Sequence, residues 1–214
     1  VTHADIFDGE EYDARIPQGY LTPEKLSTPE VNTEFQGSIV PSDGAEVYLR
    51  RDIALGSQSA YIWQDITGAA DREYGKVVIT RTYAPGEEMT VLPGENLVID
   101  FGQNAASVPS FRFSAAEGTV LTARPAEMLN DGGGLKSRGN DGPEGSVYRA
   151  NLRAGFETGR LLTYTFAGEG VEAYCPRFTY FGYRYLSVTA TEPVKIQRVV
   201  SVPVSSIARD GELG

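Results

Sequence analysis

Carboxylates are the only abundant reactive groups in this sequence. Its 214 residues include 29 Asp and Glu, against one His and one Cys. His3 stands near the N-terminus and Cys175 is alone, which excludes an internal disulfide, a cysteine-rich zinc site and a site built on several histidines. The patterns GxxxxGK[ST], GxGxxG and GxSxG are absent, so phosphate-loop, dinucleotide and nucleophile-elbow chemistry have no support. What remains is the chemistry of two carboxylates facing each other across a glycosidic bond. Asp5, Asp8, Glu10, Glu11 and Asp13 crowd the N-terminus. Spacing along the chain does not set two carboxyls at a working distance, and the plainer reading is a solvated acidic arm. No catalytic residue is assigned.

Two further groupings could bind a ligand. Asn130, Asp131, Asn140, Asp141 and Glu144 offer oxygens in a glycine-dense loop over residues 130–146. Calcium takes such oxygens, but the alternating spacing of an EF-hand loop is missing. The loop reads as a Gly-rich turn or a lip over a neighbouring domain, and no metal or other cofactor is expected. Tyr61 and Trp63 share one face of a short strand. An exposed aromatic can stack on the apolar C–H face of a pyranose; the competing reading is core packing. Trp63, Tyr61, Asn140 and Asp141 are therefore the candidate carbohydrate-binding set. The later cluster Tyr180, Phe181, Tyr183 and Tyr185 reads as core. Arg184 stands in phase with Leu186 and Val188, which should point inward. Either a bulge at Gly182 resets the phase, or the guanidinium is buried and paired with an acid from another strand.

The elements that must position these residues read as strands. Leu97, Ile99 and Phe101 alternate with polar neighbours, as do Leu162, Tyr164 and Phe166, and Leu186, Val188 and Ala190. Val77, Ile79, Arg81 and Tyr83 share a face, and Ile196, Val200, Val202 and Val204 close the series. A period of two marks strands with one buried face. Many short strands predict an antiparallel sandwich or barrel rather than βαβ units. We expect strand above about 35% and helix below about 10%. Helical signal is confined to Thr22-Pro23-Glu24, a short turn with Pro23 at the first helical position. Apolar residues at 41% can build a core, and a formal charge of −10 argues against a phosphate-backbone binder. No stretch approaches the ~18 consecutive apolar residues of a membrane span, and no signal peptide is evident. Neither nucleic acid nor membrane is an expected partner. The first residue is Val1, which suggests a fragment or a processed product.

Four segments resemble the bacterial α-L-rhamnosidase family, glycoside hydrolase family 78. Asp8-Gly9-Glu10-Glu11-Tyr12-Asp13-Ala14-Arg15 is similar to its D-G-E-x-Y-D-A-R signature. Asp100-Phe101-Gly102-Gln103-Asn104 is similar to its D-F-G-Q-N strand end, and Ala126-Glu127-Met128-Leu129-Asn130-Asp131-Gly132 to its A-E-x-L-x-x-D-G. Residues 176–185, from Pro176 to Tyr185, resemble P-x-F-T-x-x-G-x-R-Y. The four occur in the family's order and span most of the chain. One departure is Ala105-Ala106-Ser107, where the family carries Gly and Trp. The resemblance implies a parent of several β-sandwiches ahead of an (α/α)6 barrel, which holds the catalytic acids of an inverting hydrolase acting on terminal α-L-rhamnosides. Nothing here resembles the barrel's acidic motif.

The resulting expectation is an all-β, jelly-roll or concanavalin-like antiparallel sandwich. Residues 1–20 would be an arm from a preceding domain, 21–206 the accessory sandwich with 34–75 an insertion, and 207–214 a linker toward the absent barrel. Asp100, Asn104, Glu127 and Arg184 are the motif residues expected to hold the structure together. Arg184 should be largely buried, with Asp100 or Glu127 as partner. The chain itself is expected to be inactive and to support the barrel and neighbouring β-domains. The rival reading is a carbohydrate-binding module for rhamnose-containing glycan. The location leans to periplasm or cell exterior over cytoplasm.

Overall fold

Thirteen strands and one 3-10 turn, Arg51–Ile53, account for the secondary structure of the described residues. The computed structural model describes residues 1–17, 34, 37–38, 46–64, 75–131, 141–150 and 161–207. In chain order the strands are β1 His3–Asp5, β2 Gly9–Asp13, β3 Tyr48–Leu49, β4 Leu55–Gly56, β5 Ser59–Gln64, β6 Val78–Tyr83 and β7 Met89–Val91. They continue with β8 Asn96–Ser114, β9 Val120–Ala126, β10 Leu161–Thr165, β11 Glu172–Tyr174, β12 Phe181–Ala190 and β13 Val194–Ser205. The fold is all-β, as the period-two runs predict. The Thr22–Glu24 turn lies outside the described residues.

The spine is β8. Its first half pairs with β5 and β12, and its second half with β13 on one side and β12 and β11 on the other. The path β1-β2-β10-β9-β12-β8-β13-β3 curls over one core. Among the described residues every ladder is antiparallel except β2 with β10. That parallel pairing departs from the purely antiparallel expectation. β2 and β10 are joined by no hairpin, so nothing fixes their relative direction as a short turn would. β1 and β2, within the segment read as an arm from a preceding domain, are thereby strands of this sheet.

The bend in β8 is local. Between the pairs Tyr183–Ala105 and Tyr185–Asp100, β8 carries four residues where β12 carries one. Gly102 takes φ +79 there, and a Cβ would meet Gln58 Cγ at 2.9 Å. A bulge needs this backbone conformation, and glycine adopts it without strain. The matching irregularity on β12 falls at Arg184, two residues beyond Gly182. Phe181 and Tyr183 are buried before it, Leu186 and Val188 after it. The phase is reset, and Arg184 need not point into the core.

Leu97, Ile99, Phe101, Leu162, Tyr164 and Phe166 all lie in the core. Phe113 is within ring-contact distance of Tyr164 at 4.7 Å and Phe166 at 4.5 Å, and Tyr12 stacks on Tyr164 at 5.4 Å. Such pairs add to area burial. Two alternation expectations fail. Ile79 is exposed because β6 is an edge strand, paired only with β5. A register shift between Ile196 and Arg198 buries Val199 instead of Val200. Ala60 and Ile62 of β5 are core residues, so this part of segment 34–75 is built into the sheet.

Candidate functional site

Three polar ties connect segments far apart in sequence. The first is made by Glu10, which is only 1% exposed. Its Oε1 accepts a hydrogen bond from the Tyr174 hydroxyl at 3.1 Å. Its Oε2 accepts from the backbone N–H groups of Arg177 at 2.9 Å and Phe178 at 3.1 Å. A buried carboxylate persists when donors satisfy it in this way. Burial, followed by the Glu10 charge, pushes the Tyr174 phenol well above its ordinary value. The Thr179 hydroxyl adds a bond to the Ile6 carbonyl at 3.1 Å. Gly9 is obligatory beside Glu10, since its φ is +114 and a Cβ would lie 2.0 Å from the Leu161 carbonyl oxygen. The acidic run is thus not wholly a solvated arm, because one of its members caps a loop 167 and 168 residues away.

The second tie joins Asp100 to Arg184. Nε and Nη2 each donate to one carboxylate oxygen at 2.8 Å, a bidentate pair. The Gly102 N–H also donates to Asp100 Oδ1, at 2.7 Å. Partial burial pushes the Asp100 carboxyl up, but these bonds outweigh it and hold the pKa below the ordinary carboxylate value. The partner is the expected one; the burial is not. The Arg184 side chain is 39% exposed, because the bulge turns it outward over the Tyr185 ring. The third tie is Asn104 Nδ2 to Glu127 Oε1 at 3.3 Å. Asn104 therefore faces a carboxylate.

The sequence-predicted ligand residues gather on the outer face of the sheet. Trp63, Tyr61, Val98, Ala126, Leu129, Val147 and Tyr185 form a second apolar cluster there. Segment 141–149 covers it. The Tyr61 hydroxyl donates to the Gly145 carbonyl at 2.5 Å, and burial first of all pushes its pKa up to about 12. Trp63 and Asp141 line one cavity of ≈ 200 Å³ with Asn96, Arg124, Arg149 and Ser187. The indole N–H of Trp63 is buried and has no hydrogen-bond partner among the described residues. Asn140 lies outside the described residues.

The loop oxygens mostly brace the loop itself. Asn130 Nδ2 donates to Asp141 Oδ1 at 3.0 Å, while Asp141 Oδ2 accepts from the N–H groups of Arg149 and Ala150 at 2.8 and 2.9 Å. Glu144 pairs with Lys76 at 3.0 Å. Sequence reasoning missed Arg124 and Arg149. The signal was available for Arg124, a lone cation inside the strand Val120–Ala126.

An apolar cleft of ≈ 740 Å³ opens beside the Glu10 tie. Ile6, Val47, Leu49, Phe178 and Tyr180 border it and are all exposed, Phe178 at 58%. Contiguous exposed apolar surface of this kind marks an interaction face. The 178–185 aromatics therefore divide: Phe181 and Tyr183 are core, while Phe178 and Tyr180 are not.

Comparison with known proteins places this geometry. Residues 75–205 match the family described as bacterial alpha-L-rhamnosidase concanavalin-like domain. An alpha-L-rhamnosidase of Streptomyces avermitilis is 32% identical over 167 residues, covering 72% of this chain and 15% of that protein. One from Alteromonas sp. is 30% identical over 117 residues, covering 53% and 11%. The crystal structure of the Streptomyces avermitilis alpha-L-rhamnosidase complexed with L-rhamnose superposes with TM-score 0.54 at 25% identity, covering 94% of this chain and 16% of that one. The Aspergillus terreus enzyme gives TM-score 0.55 at 23% identity, covering 95% and 19%. The chain thus spans under a fifth of the length of each of these relatives.

Proposed function

The chain belongs to the bacterial alpha-L-rhamnosidase concanavalin-like domain family, and from that premise we propose that it is a non-catalytic accessory domain of a longer hydrolase acting on terminal α-L-rhamnosides. The observation that carries this reading is the apolar cleft beside Phe178 and Tyr180. It offers the catalytic barrel or a neighbouring β-domain a face to dock on. The family-like residues Glu10, Asp100, Glu127 and Arg184 support the same reading, since each is engaged in holding this domain together.

Two measurements test it. The 214-residue chain should not hydrolyse 4-nitrophenyl α-L-rhamnoside, and turnover that survives purification would overturn the non-catalytic role. In the longer enzyme, Phe178→Asp with Leu49→Asp should separate the thermal unfolding of this domain from that of the barrel. A single unchanged transition would overturn the docking role. Both residues are exposed here, so the domain's own fold should tolerate the change.

A second reading, a carbohydrate-binding module, has one observation in its favour: a ring-sized cavity of ≈ 200 Å³ lined by Trp63 together with Arg124 and Arg149.

A further inference from the structure

The cavity beside Trp63 is lined mainly by donors. Its floor is set by two cross-strand pairs, Trp63 facing Asn96 and Ser187 facing Arg124. Its roof is segment 141–149, held by Asn130, Asp141 and the Tyr61 hydroxyl. Two guanidiniums, those of Arg124 and Arg149, line it with a single carboxylate, Asp141. Among the described residues neither guanidinium makes a hydrogen bond or ion pair, and both Asp141 oxygens already accept bonds from Asn130 and the backbone. The local balance is one net positive charge in a chain whose formal charge is −10. Burial, and then the like charge of Arg149, hold the Arg124 pKa below its ordinary value despite Asp141. Buried donors without acceptors are costly, and an arriving acceptor removes that cost.

We propose that this cavity binds one acidic monosaccharide unit, a hexuronate, through its carboxylate. This rests on the carbohydrate-binding reading and names its ligand class. A planar carboxylate suits guanidinium donors, which can hold it bidentately. The volume of ≈ 200 Å³ admits one sugar ring, and the indole offers an apolar wall. A doubly charged phosphate fits less well, because Asp141 is fixed at the same site.

Trp63 is the only tryptophan, so its emission reports on the cavity directly. The 214-residue chain is titrated at constant ionic strength with D-glucuronate, D-glucose, acetate and L-rhamnose. Glucuronate should give a saturable change with a midpoint near the millimolar range. Acetate should be at least about tenfold weaker, and glucose silent. Arg124→Gln should weaken glucuronate about tenfold or more without lowering the melting temperature, and Arg149→Gln serves should the first variant misfold. Silence toward glucuronate, an equal response to glucose or acetate, or full affinity in both variants overturns the proposal. A saturable response to L-rhamnose alone also overturns it while leaving the carbohydrate-binding reading standing. Silence toward every sugar removes both.

Discussion

Removing the Glu10 carboxylate should be among the most damaging single changes in this domain. Glu10→Ala leaves three donors without their acceptor, the buried Tyr174 hydroxyl and the part-buried N–H groups of Arg177 and Phe178. An unsatisfied buried donor costs about 1–3 kcal/mol, which for three fully buried donors would sum to roughly 3–9 kcal/mol. Two effects pull the figure down. The vacated space is polar enough to admit a water, which restores part of the bonding. The native carboxylate also pays a desolvation penalty that alanine avoids. The lower end, about 3 kcal/mol, is therefore expected. For a chain of this length that is a drop of about 6–12 °C in melting temperature. Glu10→Gln separates charge from shape. Its carbonyl oxygen can still accept from the two N–H groups, and its amide can donate to the Tyr174 oxygen. Charge assistance and the acceptor for the Tyr174 hydroxyl proton are lost, about 1–2 kcal/mol. Thermal and urea melts of the three proteins decide the matter. A Glu10→Ala loss under about 1 kcal/mol, or equal losses in both variants, would refute the assignment of Glu10 as the acceptor of this loop.

Two further outcomes follow from the same structure. Phe101 is buried against the edge of Tyr183, with centroids 5.8 Å apart; Phe101→Ala should cost roughly 3–5 kcal/mol in urea unfolding, and under about 1 kcal/mol would contradict the packing. Asp100 has a folded pKa below its ordinary value. Its contribution is therefore complete above the unfolded carboxylate pKa of about 3.9 and is lost as pH falls through the lower folded value. Asp100→Asn should accordingly be destabilised at neutral pH yet lose less further stability than wild type between about pH 5 and about pH 2, and parallel pH profiles would contradict the pairing.

Much of the core was legible because strand alternation depends only on local pattern. Leu97, Ile99 and Phe101 needed no knowledge of their partners. Ile79 did: the same alternation puts an apolar residue on an edge strand, and only the neighbour count of β6 decides its exposure. That Arg184 pairs with an acid of another strand was legible from its phase, and Asp100 or Glu127 as that acid from the family-like motifs, whereas the outward turn of Arg184 depends on a bulge whose place is set by β8. Glu10 was illegible for a different reason. It sits beside Glu11 in an acidic run, and one is buried while the other is exposed. Only the parallel pairing of β2 with β10 decides which. Trp63 and Asp141 were chosen by residue type, but the guanidiniums that share their cavity come from elements the alternation leaves unconnected.

The ties also bear on the proposed docking face. Phe178 projects from a loop that makes no strand ladder of its own. Such a loop would ordinarily sample many conformations, and ordering it would subtract from the gain of association. Glu10 holds two consecutive N–H groups of that loop, Arg177 and Phe178, and Thr179 is bonded to Ile6 on the other wall of the cleft. Both walls are therefore linked to β2, which is itself anchored on β10. The exposed rings are held in place before any partner arrives, so association need order fewer groups. On this argument the D-G-E segment acts at a distance: Gly9 permits the close approach to Leu161, that approach places Glu10 beneath the loop, and Glu10 fixes the rim on which docking depends.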